Sequence, residues 1–337
     1  MKRVVKDKYI KELSKFGIVP GEEINISTRI KICKEFTNKI FTTFKRFPIS
    51  QIQLFMRVYC LKIAYANIKG IRKAFYFYKN NTIYVDKDVL KDDSLKIYLY
   101  TEIIHAIQNF GNIESKNKRA GLVKFKDTKL YGIGLNEGAI QYVVSKMTNN
   151  KIMKHQILSY TIYSISETYR ILTNLMQQII LIIGEEPILE SLFLSNLTFE
   201  RKFENIYENE TTRIINSLDK IFSISTTHKH SNKELITIYL KVYKIIIEKY
   251  LVQTLHLITE LSEIKTIRLL LEQLSEITPD GDTFFFEFKL GYNQELDKLY
   301  KIIEEEKKNT ALVEVKPNPI SKLFKRINEA IVNIIME

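Results

Sequence analysis

Apolar residues recur with helical spacing over most of the chain. Residues 22–55 predict an amphipathic helical segment that is interrupted near Pro48, and residues 156–275 predict a long helical region. The most apolar run, ILTNLMQQIILIIGEEPILESLFL, is divided at Gly184 and Pro187, which predicts a buried helix pair rather than a membrane span.

Two predicted helices carry the residues of chemical interest. The first covers residues 94–111, SLKIYLYTEIIHAIQNFG, with N-cap candidates at Asp92, Asp93 and Ser94 and a terminating glycine at Gly111. The second is LNEGAIQYVVSKM, in which Asn136 is a possible N-cap, Glu137 falls in the first turn and Gly138 permits close helix packing.

Aromatic and β-branched residues between these helical regions predict strands. RVYCLKIAYANI and RKAFYFYKNNTIYVD favour two or three strands, with a hairpin turn at Asn80-Asn81. Near the end of the chain, DTFFFEFKLG predicts a strand and NQELDKLYKIIEEEKK an exposed helix.

The predicted fold class is α+β and predominantly helical. We divide the chain into an N-terminal helical segment at 1–56, a core at 57–150, a helical region that packs on the core at 151–275, and a C-terminal strand, helix and tail at 276–337.

The chain is basic, with a formal net charge of +12, but the charge is not arranged as in nucleic-acid-binding proteins. Only 11 of the 51 basic residues are Arg, the Lys residues are scattered, and no recognised nucleic-acid motif occurs. A solvated basic surface is the simpler interpretation. With two cysteines, Cys33 and Cys60, and no apolar signal-peptide core, the sequence predicts a cytoplasmic protein of unknown oligomeric state without a disulfide framework.

The spacing of Glu102 and His105 in TEIIHAIQ places both side chains on one face of the first helix. Such a pair is common by chance. Position 101 lies one further turn back on that face, where a zinc-binding helix carries its first histidine, and here it is Thr101.

The pair TEIIHAIQ and GLNEGAIQYVVSK resembles the His-Glu-x-x-His and Leu-Asn-Glu-Gly motifs of gluzincin metallopeptidases such as the aminopeptidase N group, and of zincin-like proteins of low-GC bacteria. The resemblance covers about residues 72–150. It implies a zincin-like core with a small antiparallel sheet beside an active-site helix, with His105 and Glu137 as zinc ligands and Glu102 as general base.

Thr101 departs from the family pattern, because a neutral hydroxyl is a poor replacement for an imidazole ligand. The resemblance therefore implies either a degenerate, inactive relative or a rescued site. The rescue could come from His155, from His228 and His230, or from Glu102 joining His105 and Glu137 around a harder ion such as Mn²⁺ or Fe²⁺. For each of these three histidines, a solvated loop position is the simpler interpretation.

Further candidates lie on a helix predicted after MKHQILSY. Tyr163 and Tyr169 are tentative oxyanion stabilisers by analogy with gluzincins, although an aromatic stripe that packs the core explains them as well. His256 is interpreted as a packed helix residue.

Two functional hypotheses follow. The first is a zincin-like protein with an impaired peptidase site and a cleft for metal or peptide, including the alternative of an active peptidase that uses a rescued site. The second is a basic helical protein that binds an acidic protein or nucleic acid. Convergence of Glu102, His105 and Glu137 in one cleft is the feature that favours the first.

Overall fold

A computed structural model describes residues 2–109, 119–126, 129–148, 151–227 and 231–314. The helices are α1 Lys2–Lys15, α2 Ile26–Thr43, α3 Gln51–Tyr59, α4 Lys96–Gln108, α5 Ile133–Thr148, α6 Arg170–Ile183, α7 Glu185–Leu194, α8 Thr198–Tyr207, α9 Thr211–Thr227, α10 Asn232–Leu255, α11 Leu261–Ser275 and α12 Phe284–Glu314. The strands are β1 Ile18–Glu23, β2 Lys62–Ile68, β3 Ala74–Phe77, β4 Thr82–Val85, β5 Arg119–Ala120, β6 Val123–Lys126, β7 Lys129–Tyr131, β8 Met153–Ile157 and β9 Tyr160–Ser164. The predicted class, α+β and predominantly helical, is confirmed.

A four-stranded sheet with the order β1-β2-β4-β3 stands beside α4. The predicted hairpin is confirmed as the antiparallel pair β3–β4, whose connection is a short 3-10 turn at Tyr78–Asn80 followed by Asn81 in the left-handed conformation. β2 and β4 run parallel, so the sheet is mixed rather than wholly antiparallel. In this order β3 is an edge strand.

Three segments differ from the prediction. The N-terminal segment contributes β1 to the sheet, and the region predicted as helical from residue 156 opens with the β8–β9 hairpin. DTFFFEFKLG does not form a strand, because Phe284 begins α12. Rings four residues apart pack against each other along this helix, Phe284 on Phe288 and Phe288 on Tyr292. Neighbouring phenylalanines in the sequence obscure this helical spacing.

The most apolar run forms α6 and α7, as predicted, with the break at Gly184. Buried amides interrupt the apolar surface of α6. Asn174, for example, donates to the carbonyls of Tyr163 and Ile277 and accepts from the Tyr239 hydroxyl. Among the described helices, none is long and apolar enough to cross a membrane.

One large cluster of buried apolar side chains runs from Ile24 to Ile303 and draws on α2, α4, α5, α6 and α10 among other elements. A smaller apolar cluster lies between α1 and the sheet and includes Leu13, Ile18 and Phe77. The proposed segment boundaries at residues 56, 150 and 275 do not divide the larger cluster.

Candidate functional site

Helix α4 presents Thr101, Glu102 and His105 to a cavity of about 590 Å³. Its opposite face is apolar and buried, as at Ile103 and Ile107. Asp92 caps the 3-10 turn Asp93–Leu95 that leads into α4, by accepting from the Ser94 amide, so the predicted cap acts one turn before the helix. Gly111, the predicted terminator, lies outside the described residues.

Helix α5 begins at Ile133, a turn earlier than the sequence predicts, so Asn136 is not its N-cap. Asp219 in α9 binds the start of α5, because its carboxylate accepts from the amides of Gly132 and Gly134 at 2.8 Å each. Glu137 therefore lies one turn into the helix, on the side that faces α4.

Two buried side-chain amides join α4 to α5 by hydrogen bonds. Gln108 and Asn136 exchange two hydrogen bonds, at 3.0 and 3.2 Å, and Asn136 also accepts from the amide of Leu122. Gly138 lies against α6, where an added Cβ would stand 3.0 Å from the Leu172 carbonyl oxygen, so the predicted close helix approach is confirmed. This packing fixes the separation of the two motifs.

His105 and Glu137 meet across the helix pair. His105 Nε2 lies 3.3 Å from Glu137 Oε1, and their side chains are 23% and 14% exposed. Burial acts to lower the pKa of His105, but the charge and hydrogen bond of Glu137, together with the charge of Glu102, outweigh it and raise that pKa to about 9. The pair is therefore an imidazolium–carboxylate contact at neutral pH.

Thr101 lines the same cavity one turn before His105. Its hydroxyl donates to the Ile97 carbonyl of its own helix at 2.8 Å. The position at which a zinc-binding helix carries its first histidine is thus occupied by a group already bonded to the backbone.

Glu102 joins α4 to the edge of the sheet. Its Oε2 accepts from the Tyr76 amide of β3 at 2.8 Å. Burial raises the pKa of Glu102 above its ordinary value, and the charge of His105 and the Tyr76 hydrogen bond offset this only in part. One carboxylate oxygen of the proposed general base therefore already has a structural partner.

Of the two candidate tyrosines, the structure places Tyr169 in the cavity wall and Tyr163 elsewhere. Neither lies within a helix as predicted, because Tyr163 is in β9 and Tyr169 is the residue before α6. The Tyr163 hydroxyl donates to Asp280, away from the cavity. Tyr169 has a left-handed backbone with φ of 49° and packs its ring against Phe222.

Neither His155 nor His256, the two other histidines in the described part of the chain, lines the cavity. His155 lies in β8 rather than in a loop, and burial lowers its pKa. His256 is exposed at the end of α10 rather than packed. His228 and His230 lie outside the described residues.

Arg72 was not anticipated as a site residue. It lies in the connection between β2 and β3, lines the cavity, and donates from Nη2 to the Tyr169 hydroxyl at 3.2 Å. Nothing in the local sequence marks it, because its place depends on how the sheet stands against α6.

A catalytic zinc site takes three protein ligands and an open water position. Two ligands of a tetrahedral zinc with bonds of about 2.0–2.1 Å stand about 3.3 Å apart, which is the separation of His105 Nε2 and Glu137 Oε1. The third ligand is missing, since Thr101 is bonded to Ile97. In the part of the chain that the structure describes, no three His, Cys, Asp or Glu side chains are grouped so as to hold a metal ion. The residues present therefore do not fit a three-ligand catalytic zinc.

No family model matches the chain, and searches of curated proteins and of solved structures gave no significant match. The resemblance to gluzincins stays a prediction that rests on the two motifs.

Proposed function

We propose that this chain is a zincin-like protein that has lost the catalytic metal site and retains a cleft that binds peptides without cutting them. The observation that carries the proposal is the His105–Glu137 contact inside the cavity. Two donors from two helices stand at the spacing of zinc ligands, while Thr101 occupies the third position. A cytoplasmic location remains a prediction of the sequence.

The cavity suits an extended peptide better than a compact polar ligand. Its wall includes the edge strand β3 and aromatic side chains such as Phe75, Tyr78 and Phe222. Ala74 and Tyr76, whose backbone groups point away from β4, are buried, so a peptide would be held by the apolar and aromatic side chains of the wall rather than by pairing with β3. The polar groups at the floor, Glu102 and His105, would then face the peptide backbone.

Thr101→His tests the descent of the site. We expect the purified variant, after exposure to zinc and dialysis, to bind zinc at least about 10–100-fold more tightly than the parent, because it gains a first ligand beside His105 and Glu137. Metal analysis and a competition titration with a chromogenic chelator measure this.

Thr148→His is a matched control, since Thr148 makes the same bond to its own helix, at Val144, outside the cavity. If Thr101→His takes up no more zinc than Thr148→His, the ancestral-site argument is wrong.

A peptidase assay distinguishes a binding cleft from a rescued enzyme. We expect no hydrolysis of a mixed peptide substrate by the parent protein, with or without Zn²⁺ or Mn²⁺. Hydrolysis that disappears in Glu102→Gln would instead establish the alternative of an active peptidase with a rescued or non-zinc site.

A further inference from the structure

We infer that Arg72 binds the terminal carboxylate of a peptide in this cavity, so that the protein selects peptides with free C-termini. The inference rests on the proposed peptide-binding function and adds a specificity that the two motifs do not contain.

Arg72 is an exposed cation at the wall of the cavity. Within the described residues, no carboxylate lies within ion-pair distance of its guanidinium, whereas Lys96, Arg119 and Lys146 each pair with a glutamate. Glu102 and His105, the polar residues of the floor, line the same cavity as Arg72. An unpaired guanidinium fork is the group best suited to a planar carboxylate.

Tyr169 orients this guanidinium. Its hydroxyl accepts from Arg72 Nη2, which leaves the other nitrogens of the fork for a ligand. Burial raises the pKa of Tyr169, so the phenol stays neutral and does not itself pair with Arg72 as an anion. Tyr169 has a left-handed backbone, unusual for an aromatic residue, and its ring packs against Phe222, another residue of the wall.

The edge of β3 that faces away from β4 lies against α4. Ala74, whose backbone groups point to that edge, is only 1% exposed, and the Tyr76 amide there is taken by Glu102. Strand pairing with β3 is therefore not what holds a peptide, and its terminal carboxylate is the group that the guanidinium of Arg72 binds.

The test uses two pools of short random peptides, one with free C-termini and one with C-terminal amides, incubated with immobilised full-length protein and quantified by mass spectrometry. We expect the parent to retain the free acids about tenfold more than the amides, which is the effect of one charge-assisted contact. In Arg72→Gln this preference should be lost, and in Tyr169→Phe it should be weakened.

Arg46→Gln is the control for loss of positive charge, because Arg46 lies outside the cavity, where its 83% exposed side chain pairs with Glu186. Equal retention of acids and amides by the parent, or an unchanged preference in Arg72→Gln, would overturn the role of Arg72 while leaving peptide binding intact. If neither pool is retained above a column without protein, the proposed function itself fails.

Discussion

At the scale of single residues, the titration of the partly buried imidazole of His105 tests its contact with Glu137. We expect His105 to titrate near pH 9 in the parent, because Glu137 and Glu102 favour its charged form over the opposing effect of burial. In Glu137→Gln that pKa should fall, because the charge and the hydrogen bond that oppose the effect of burial are removed. Histidine NMR signals followed against pH measure both values.

His155 serves as an internal control in the same spectra, because burial, assisted by the charge of Arg170, lowers its pKa. A parent His105 that titrates near 6.5 would contradict the close pairing with Glu137.

The same contact makes stability depend on pH. The folded-state pKa of His105 lies above the unfolded value of 6.5, so its contribution is fully present below pH 6.5 and is lost as pH rises through about 9. The difference in unfolding free energy between the parent and Glu137→Gln should therefore shrink over this range by about 2–3 kcal/mol. Urea titrations at several pH values give this difference.

The sequence located the motif residues of the site but not those that depend on tertiary packing. Glu102, His105 and Glu137 were predicted from two short motifs, and they line one cavity. Arg72 carries no local signal. Tyr163 and Tyr169 looked equivalent, and only the strand that replaces the predicted helix separates them.

At the scale of elements, the start of α5 depends on close backbone contact with α9. A Cβ on Gly134 would stand 2.1 Å from the Leu218 carbonyl oxygen, whereas nothing lies within 4 Å of a Cβ on Gly291 in α12. Gly134→Ala should lower the free energy of unfolding by about 3 kcal/mol or more, since backbone must move.

Gly291→Ala, the matched control in another helix, should raise the free energy of unfolding by up to about 1 kcal/mol through helix propensity alone. Denaturant unfolding compares the two variants with the parent. Equal effects of the two substitutions would show that the packing of α5 on α9 is looser than described.

Long helices with one apolar face were predictable, as α4, α6 and α7 show, because helical periodicity is a local signal. β1 and the β8–β9 hairpin were missed because short strands depend on partners distant in sequence or on the local turn. The misreading of the start of α12 has a different cause, since a run of aromatic residues has high strand propensity even where rings stack along a helix.

At the scale of the whole molecule, the continuous core predicts that the chain unfolds as one unit. Phe55 in α3 and Phe288 in α12 both pack against the large apolar cluster, and the natural sequence has no Trp. Single tryptophans introduced as Phe55→Trp and Phe288→Trp should therefore report coincident urea midpoints.

Circular dichroism of each variant provides the reference for the helices as a whole. Midpoints that differ between the two tryptophans would instead show that α3 and α12 belong to parts of the chain that unfold independently.

The bond between Glu102 and the Tyr76 amide bears on how any loss-of-function experiment at this position is interpreted. Glu102 fastens the strand that forms one wall of the cleft to the helix that forms its floor. An alanine at this position would remove the bond to β3 as well as the carboxylate. A loss of function in that variant would therefore not show that Glu102 has a chemical role. Glutamine retains an oxygen that can accept from Tyr76, and it separates the attachment of the strand from the charge.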